Sequence, residues 1–268
     1  MKKKKDFINH LFPKLASPLV LALVIGARWL FPAFIEDLEL KTFDLFQRLK
    51  PRAYREVPVR IVDIDDESLS RLGQWPWPRT LAAQLVKTLA DSGAAAVVFD
   101  IVFAEPDRTS PKNVLTRLPE SAEFAAARAQ LSALPDHDQV FAKAVSESRV
   151  VTGFSFTNDP NESRPKRKAA FSYAGDSPAQ YLPEFQGAIT NLPELDAAAS
   201  GSGSFAILAE RDGIIRRVPA LFRLRDELYP SLAAEAVRTA QGAKNYIVKS
   251  SGGSGEISFG AHTGITSV

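Results

Sequence analysis

A chain of 268 residues with 45% hydrophobic and 24% charged side chains can bury a full core, which excludes a disordered polymer. Lysine and arginine number 33 against 31 acidic residues, so there is no net field to gather nucleic acid, and nucleic acid is not expected as a partner. The absence of cysteine excludes a disulfide framework, a thiolate metal site and a cysteine nucleophile.

The first element is a basic N-terminus, residues 1–14, with Lys2, Lys3, Lys4 and Lys5 ahead of an apolar stretch. Residues 15–35 carry Leu19, Val20, Leu21, Leu23, Val24, Ile25, Leu30, Phe31 and Phe34, enough at about 1.5 Å per residue to cross a hydrocarbon core of about 30 Å. Arg28 can snorkel beside Trp29 toward the far interface. The lysine run predicts a cytoplasmic start, and GARWLFPA lacks the small-residue pair of a cleavage site, so a retained single-pass anchor is expected. Residues 36–50 continue as a juxtamembrane helix. From Ile35 onward, Leu38, Thr42, Leu45 and Leu49 recur at spacings of three and four, a seam able to pair with a second helix, while Leu40, Phe43 and Phe46 widen the apolar face enough to pack equally well on the domain's own body.

Residues 51–268 then read as an extracytoplasmic α/β domain. VRIVDID from Val59 has the alternation of a strand, and AAAVVFDIVF from Ala94 reads as a second. Between them a helix opens at Pro78, presents Leu81, Leu85, Val86 and Leu89, and ends at Gly93. Strand, helix and strand make a βαβ unit, so a mixed sheet flanked by helices is predicted. Pro119 to Leu134 reads as a helix, and Asp138 as the cap of another that ends near Arg149. VVTGFSF follows as a strand, and residues 157–185 as a long polar loop. GSFAIL and IIRRVPALFRLR predict two strands about a turn at Glu210 to Gly213, with Pro219 marking an edge or bulge. Pro230 and Ser231 open a last helix through Ala240, and EISFG is a short strand in a Gly/Ser-rich tail.

The candidate site is acidic. Asp63 and Asp65 share a face of the first predicted strand, Asp66 starts its loop, and Asp100 lies near the end of the second. Parallel pairing would gather them at the C-terminal edge, where open α/β sheets bind ligands. Such carboxylates repel unless a cation, an arginine or a shared proton compensates them. Glu105 and Asp107 would add oxygen donors, making Asp63, Asp65, Asp100, Glu105 and Asp107 a candidate set for Mg²⁺ or Ca²⁺. Alternatively, Arg79 neutralises the carboxylates and others cap helices. Trp75 and Trp77, between prolines, are either a ligand platform or a packed corner. The three histidines, His10, His137 and His262, lie outside the acidic segments, and no serine or threonine sits in a nucleophile elbow, so no catalytic residue is assigned.

ELKTFDLFQRL, VRIVDIDDESL, GQWPWPR, GAAAVVFDIVFAEPD, DGIIRRVPALFR and LYPSLAAEAVR, in that order over residues 36–240, resemble the second type of CHASE domain. This is the cyclase and histidine-kinase associated sensory extracellular family. The resemblance implies an input module in the periplasm or extracellular space, held at the bacterial plasma membrane. Its output would be an adenylate or guanylate cyclase, a histidine kinase of a two-component system, or a Ser/Thr kinase. The ligands of the family are largely undefined. The residues themselves lead one to expect an unknown small extracellular ligand at the acidic edge, touching Asp63, Asp65, Asp66, Asp100, Arg79, Trp75 and Trp77, and the juxtamembrane seam a second copy as partner. Members generally continue past the equivalent of Val268, so the domain is expected to be incomplete at its C-terminus. Competing readings are an anchored metal-dependent hydrolase using the acidic cluster and a non-signalling envelope scaffold.

Overall fold

Phe31 leaves the helical conformation that holds residues 20–30, with φ −132° and ψ 56°. Pro32 is the cause, since its ring disfavours the helical conformation in the residue before it, and its missing N–H suits the first position of a new helix. That helix is α1 (Pro32–Leu49). The computed structural model describes residues 16, 18, 20–175, 177–250 and 263–267, and within these the chain forms two units, Met1–Asp63 and Ile64–Val268.

The expected span over 15–35 is therefore interrupted, and among the described residues no helix is long and apolar enough to cross a membrane. The lysine run and Lys14 lie outside the described residues. Along α1, Leu38 and Leu45 are each 53% exposed and Leu49 71%. The strand expected over 59–65 does not form: the backbone there has no ladder partner among the described residues, and Val59 and Ile61 are exposed.

The second unit begins with α2 (Asp66–Leu72) and α3 (Arg79–Asp91). Pro78 precedes α3, and Gly93 follows it at φ +86°, as the sequence led one to expect. Then come β1 (Val97–Phe99), α4 (Pro111–Leu115), α5 (Ala125–Ser132), α6 (His137–Ser146) and β2 (Val150–Thr157). The parallel pair is β1 with β2, Val97 opposite Val150, and the crossover runs through α4 to α6. The predicted βαβ unit is thus displaced: its helix and second strand exist, but the parallel partner of that strand is β2 and not residues 59–65.

The polar segment 157–185 is less featureless than expected, since it holds β3 (Ala170–Gly175) and ends in β4 (Glu184–Phe185). There follow β5 (Gly187–Ile189), α7 (Pro193–Ala198), β6 (Gly201–Ser204), β7 (Leu221–Leu224), β8 (Glu227–Pro230), α8 (Leu232–Ala240), β9 (Asn245–Ser250) and β10 (Thr263–Ser267). β2 pairs with β6 in parallel and with β5 antiparallel, so the sheet is mixed. β3 and β9 are parallel with β10 antiparallel, and β4, β7 and β8 form a third small sheet. The expected turn at Glu210 to Gly213 is present, with Gly213 at φ +79°, but only the far ends of its two flanks are strands. EISFG lies outside the described residues.

One core lies between the first sheet and the helices α3, α6 and α7, around Val86, Phe99, Phe103, Phe141, Val145 and Leu195. Phe99, Phe103 and Phe141 meet edge to face, with centroids 5.1 to 5.7 Å apart. A second core gathers Phe154, Phe156, Phe185, Phe222 and Tyr229. On the other face, α8 sits close on β6 because Gly203 has no side chain: a Cβ there would lie 2.6 Å from the Leu232 Cα. Glu235 of α8 joins three elements, taking bonds from Arg238 (2.7 and 2.9 Å), from the Tyr246 hydroxyl (2.6 Å) and from the Ser202 N–H (3.3 Å).

Candidate functional site

The loop that leaves β1 carries Phe103 into the core and then turns over the N-termini of α3 and α6. Its anchor is Asp107, which is buried. Oδ2 accepts from the Arg79 N–H at 2.7 Å, which satisfies an orphan donor in the first turn of α3, and lies 3.1 Å from His137 Nδ1. Oδ1 accepts from the Thr109 N–H and hydroxyl, both at 2.8 Å. Burial by itself would push this carboxyl up, but the bonds from Arg79, Thr109 and His137 outweigh it and hold it below the usual carboxylate range.

Asp138 faces Asp107 from α6. Its Oδ2 accepts from the Asp107 N–H at 2.9 Å, and its Oδ1 lies 3.3 Å from Arg79 Nε. Burial pushes Asp138 up, opposed by the Asp107 N–H and by Arg79. Burial likewise lowers Arg79, opposed by Asp138 and Asp107. The Arg79 guanidinium also donates to the Glu105 carbonyl at 3.0 Å and stands 4.5 Å from the centre of the Phe103 ring, a cation–π arrangement. Asp136, not Asp138, caps α6: its Oδ1 accepts from the Asp138 N–H at 3.0 Å and from Ser110 Oγ at 3.1 Å.

The residues expected to converge take other places. Asp65 is the N-cap of α2, accepting from the Ser68 N–H at 2.8 Å and its hydroxyl at 2.6 Å, and these bonds lower its carboxyl. Asp66 lies in the first turn of the same helix. Asp63, Asp100 and Glu105 are exposed. Among the described residues no three His, Asp or Glu side chains gather to hold a metal ion. For Asp107 the reason is visible: a carboxylate has about four acceptor positions, and four protein contacts occupy them, so a cation would meet donors instead of lone pairs. The cation role expected of Asp107 is therefore corrected to that of a buried anchor.

Arg79 does neutralise a carboxylate, but its partner is Asp138. Trp75 packs against the first core and Trp77 donates to the Gly73 carbonyl at 2.7 Å, the two rings meeting edge to face at 5.5 Å. Both are parts of a fixed corner. Sequence reasoning missed Asp136, His137, Thr109 and Ser110. The available signal was the run Asp136-His137-Asp138 at a predicted helix start, where one acid can cap and the other is free to reach elsewhere. With Arg79, Asp107 and Asp138 buried, the cluster binds the start of α3, the β1 loop and the start of α6 into one electrostatic unit.

A family model described as the CHASE2 domain matches residues 19–266. The chain belongs to the CHASE2 domain family. No curated protein and no solved structure matches it. CHASE2 domains are extracytoplasmic sensory modules of signalling proteins, and the present one spans both the α1 helix and the mixed α/β unit.

Proposed function

We propose that this CHASE2 domain is the sensory input of a bacterial protein held in the plasma membrane, with residues after about Phe34 outside the cytoplasm and a cyclase, histidine kinase or Ser/Thr kinase as its output. The observation that carries the reading is the family match over residues 19–266, which includes both α1 and the sensory body. The lysines at positions 2–5 favour retention of the N-terminus inside, with the apolar segment after them as the anchor. The α1 seam supports a homodimer, because Leu38, Leu45 and Leu49 present exposed apolar side chains at helical spacing and a helix that transmits a signal needs a second to move against. The stimulus is a small extracytoplasmic solute or ion.

Reporter fusions after Arg52 test the topology. A reporter that works only after export is expected to be active there; activity of a cytoplasmic reporter at the same site would overturn the proposal. Single cysteines along α1, in a chain that has none, are expected to crosslink best at Leu38 and Leu45, and uniform crosslinking along the helix would reject a defined seam.

A further inference from the structure

We propose that strand β3 is a contact surface between two copies of this chain, pairing antiparallel with β3 of a second copy about a twofold axis at Ser172. The contact is separate from the α1 seam, and it rests on the sensory reading only for holding both copies on one membrane.

β3 (Ala170–Gly175) ends the sheet β10–β9–β3, and β9 is its one ladder partner among the described residues. Its outer row of N–H and C=O groups is therefore open, and Ala170, Ser172, Tyr173, Ala174 and Gly175 are exposed. Such an edge is a template for another strand, and proteins commonly guard it with charge, proline or a bulge. Here none is present: residues 170–175 hold no charged residue and no proline, and their register with β9 runs one to one without a bulge.

The sequence of the edge selects its occupant. Ala170-Phe171-Ser172-Tyr173-Ala174 has the same pattern of residue types in both directions about Ser172. A twofold axis there sets Ser172 opposite its own equivalent, Phe171 opposite Tyr173 of the second copy, and Ala170 opposite Ala174. Self-complementarity of this kind is what an interface between identical copies requires. Phe171 and Tyr173 share a face of the strand, so both aromatic pairs form on that face. An aromatic row already starts there: Phe171 stacks on Tyr246 of β9, with centroids 5.0 Å apart and planes 13° apart. Tyr173, next along the strand, is left 52% exposed. The second copy's Tyr173 extends the row from Tyr246 through Phe171 across the edge, and no like charges meet.

The contact is small. An edge of this length with one half-open ring covers on the order of 300 Å² per copy, against roughly 600 Å² per copy at the low end of stable interfaces. It therefore closes between copies that are already held together, where the effective concentration is high. A stimulus can make or break a contact of that strength while the anchors keep the two copies side by side.

The test uses single cysteines in the full chain, which has none of its own, reconstituted in lipid vesicles and mildly oxidised. For Ser172→Cys the axis sets the two Cα atoms about 4.5–5.5 Å apart, inside the span of a disulfide, and rapid linkage is expected. Ala170→Cys and Ala174→Cys, each alone, hold their like thiols about 14 Å apart, and are expected to link at least about tenfold more slowly. Mixed in the same vesicles, these two variants are expected to link to each other. Equal rates for all three single variants would overturn the register. Tyr173→Lys in the Ser172→Cys chain sets a charge against the facing Phe171 and is expected to slow linkage about tenfold; an unchanged rate would overturn the aromatic pairing. Leu38→Cys is the control for the α1 seam. Linkage through Leu38→Cys with none through Ser172→Cys overturns the edge contact and leaves the seam standing, and the reverse supports the edge without the seam. The export reporters read topology and not this contact, so the two readings fall separately.

Discussion

Replacing Arg79 by methionine keeps the length and apolar contact of the stem while deleting the guanidinium. Three interactions go with it: the ion pair to Asp138 at 3.3 Å, the bond to the Glu105 carbonyl at 3.0 Å, and the cation–π contact with Phe103 at 4.5 Å. The loss is dominated by what remains, a buried Asp138 carboxylate with no cation and the Asp107 N–H as its donor. Breaking a buried pair from one side costs about 3–5 kcal/mol. Asp138 is already pushed up by burial, so without Arg79 it takes up a proton more readily, and the loss is expected at the lower end of that range, about 3 kcal/mol near neutrality and less in acid. Urea unfolding followed by tryptophan fluorescence over a series of pH values measures this directly. Asp138→Asn in the Arg79→Met background removes the stranded charge and is expected to restore about half of the loss. A loss under about 1 kcal/mol, with nothing restored by asparagine, would refute the idea that the pair is buried and coupled.

Gly203→Ala is expected to cost about 1–3 kcal/mol, because the new Cβ meets the backbone of Leu232 and α8 has to move off the sheet; a neutral denaturation midpoint would contradict that packing. Tyr246→Phe removes a 2.6 Å bond to buried Glu235 and is expected to cost about 1–2 kcal/mol by the same assay, whereas Glu235→Gln, which leaves Arg238 without its counter-ion, is expected to cost about 3 kcal/mol or more. For Asp107 the folded carboxyl lies below its ordinary 3.8, so its stabilising share is complete above 3.8 and is lost as pH falls through the lowered folded value. Asp107→Asn is therefore expected to weaken the domain at neutrality and to flatten its loss of stability in acid; an unchanged acid limb would contradict this.

Local signals proved legible. Pro78 and Gly93 bracket α3, VVTGFSF is β2, Ser231 caps α8 with a 3.2 Å bond from the Ala234 N–H, and Gly213 turns the chain. What failed was pairing. VRIVDID alternates like a strand whether or not a partner lies alongside it, and nothing within those seven residues specifies the ladder. The parallel partner of β1 begins some fifty residues later, at Val150, behind the crossover helices. The acidic edge failed for the same reason, because its geometry was inherited from a strand that does not form. The residue types were nonetheless informative: Arg79 was a candidate to neutralise a carboxylate and does so, and Asp65 does cap a helix. Their partners depend on contacts 59 positions apart in one case and 3 in the other, and only the short one can be read along the chain.

The most direct test of the sensory account asks on which side of the membrane the α/β unit lies. Leu134→Cys places a single thiol at an exposed position of a chain that otherwise lacks cysteine. In intact cells with a permeable outer envelope, a membrane-impermeant maleimide is expected to label it as fully as in lysed cells. Labelling that appears only after lysis would put the domain in the cytoplasm and contradict the account.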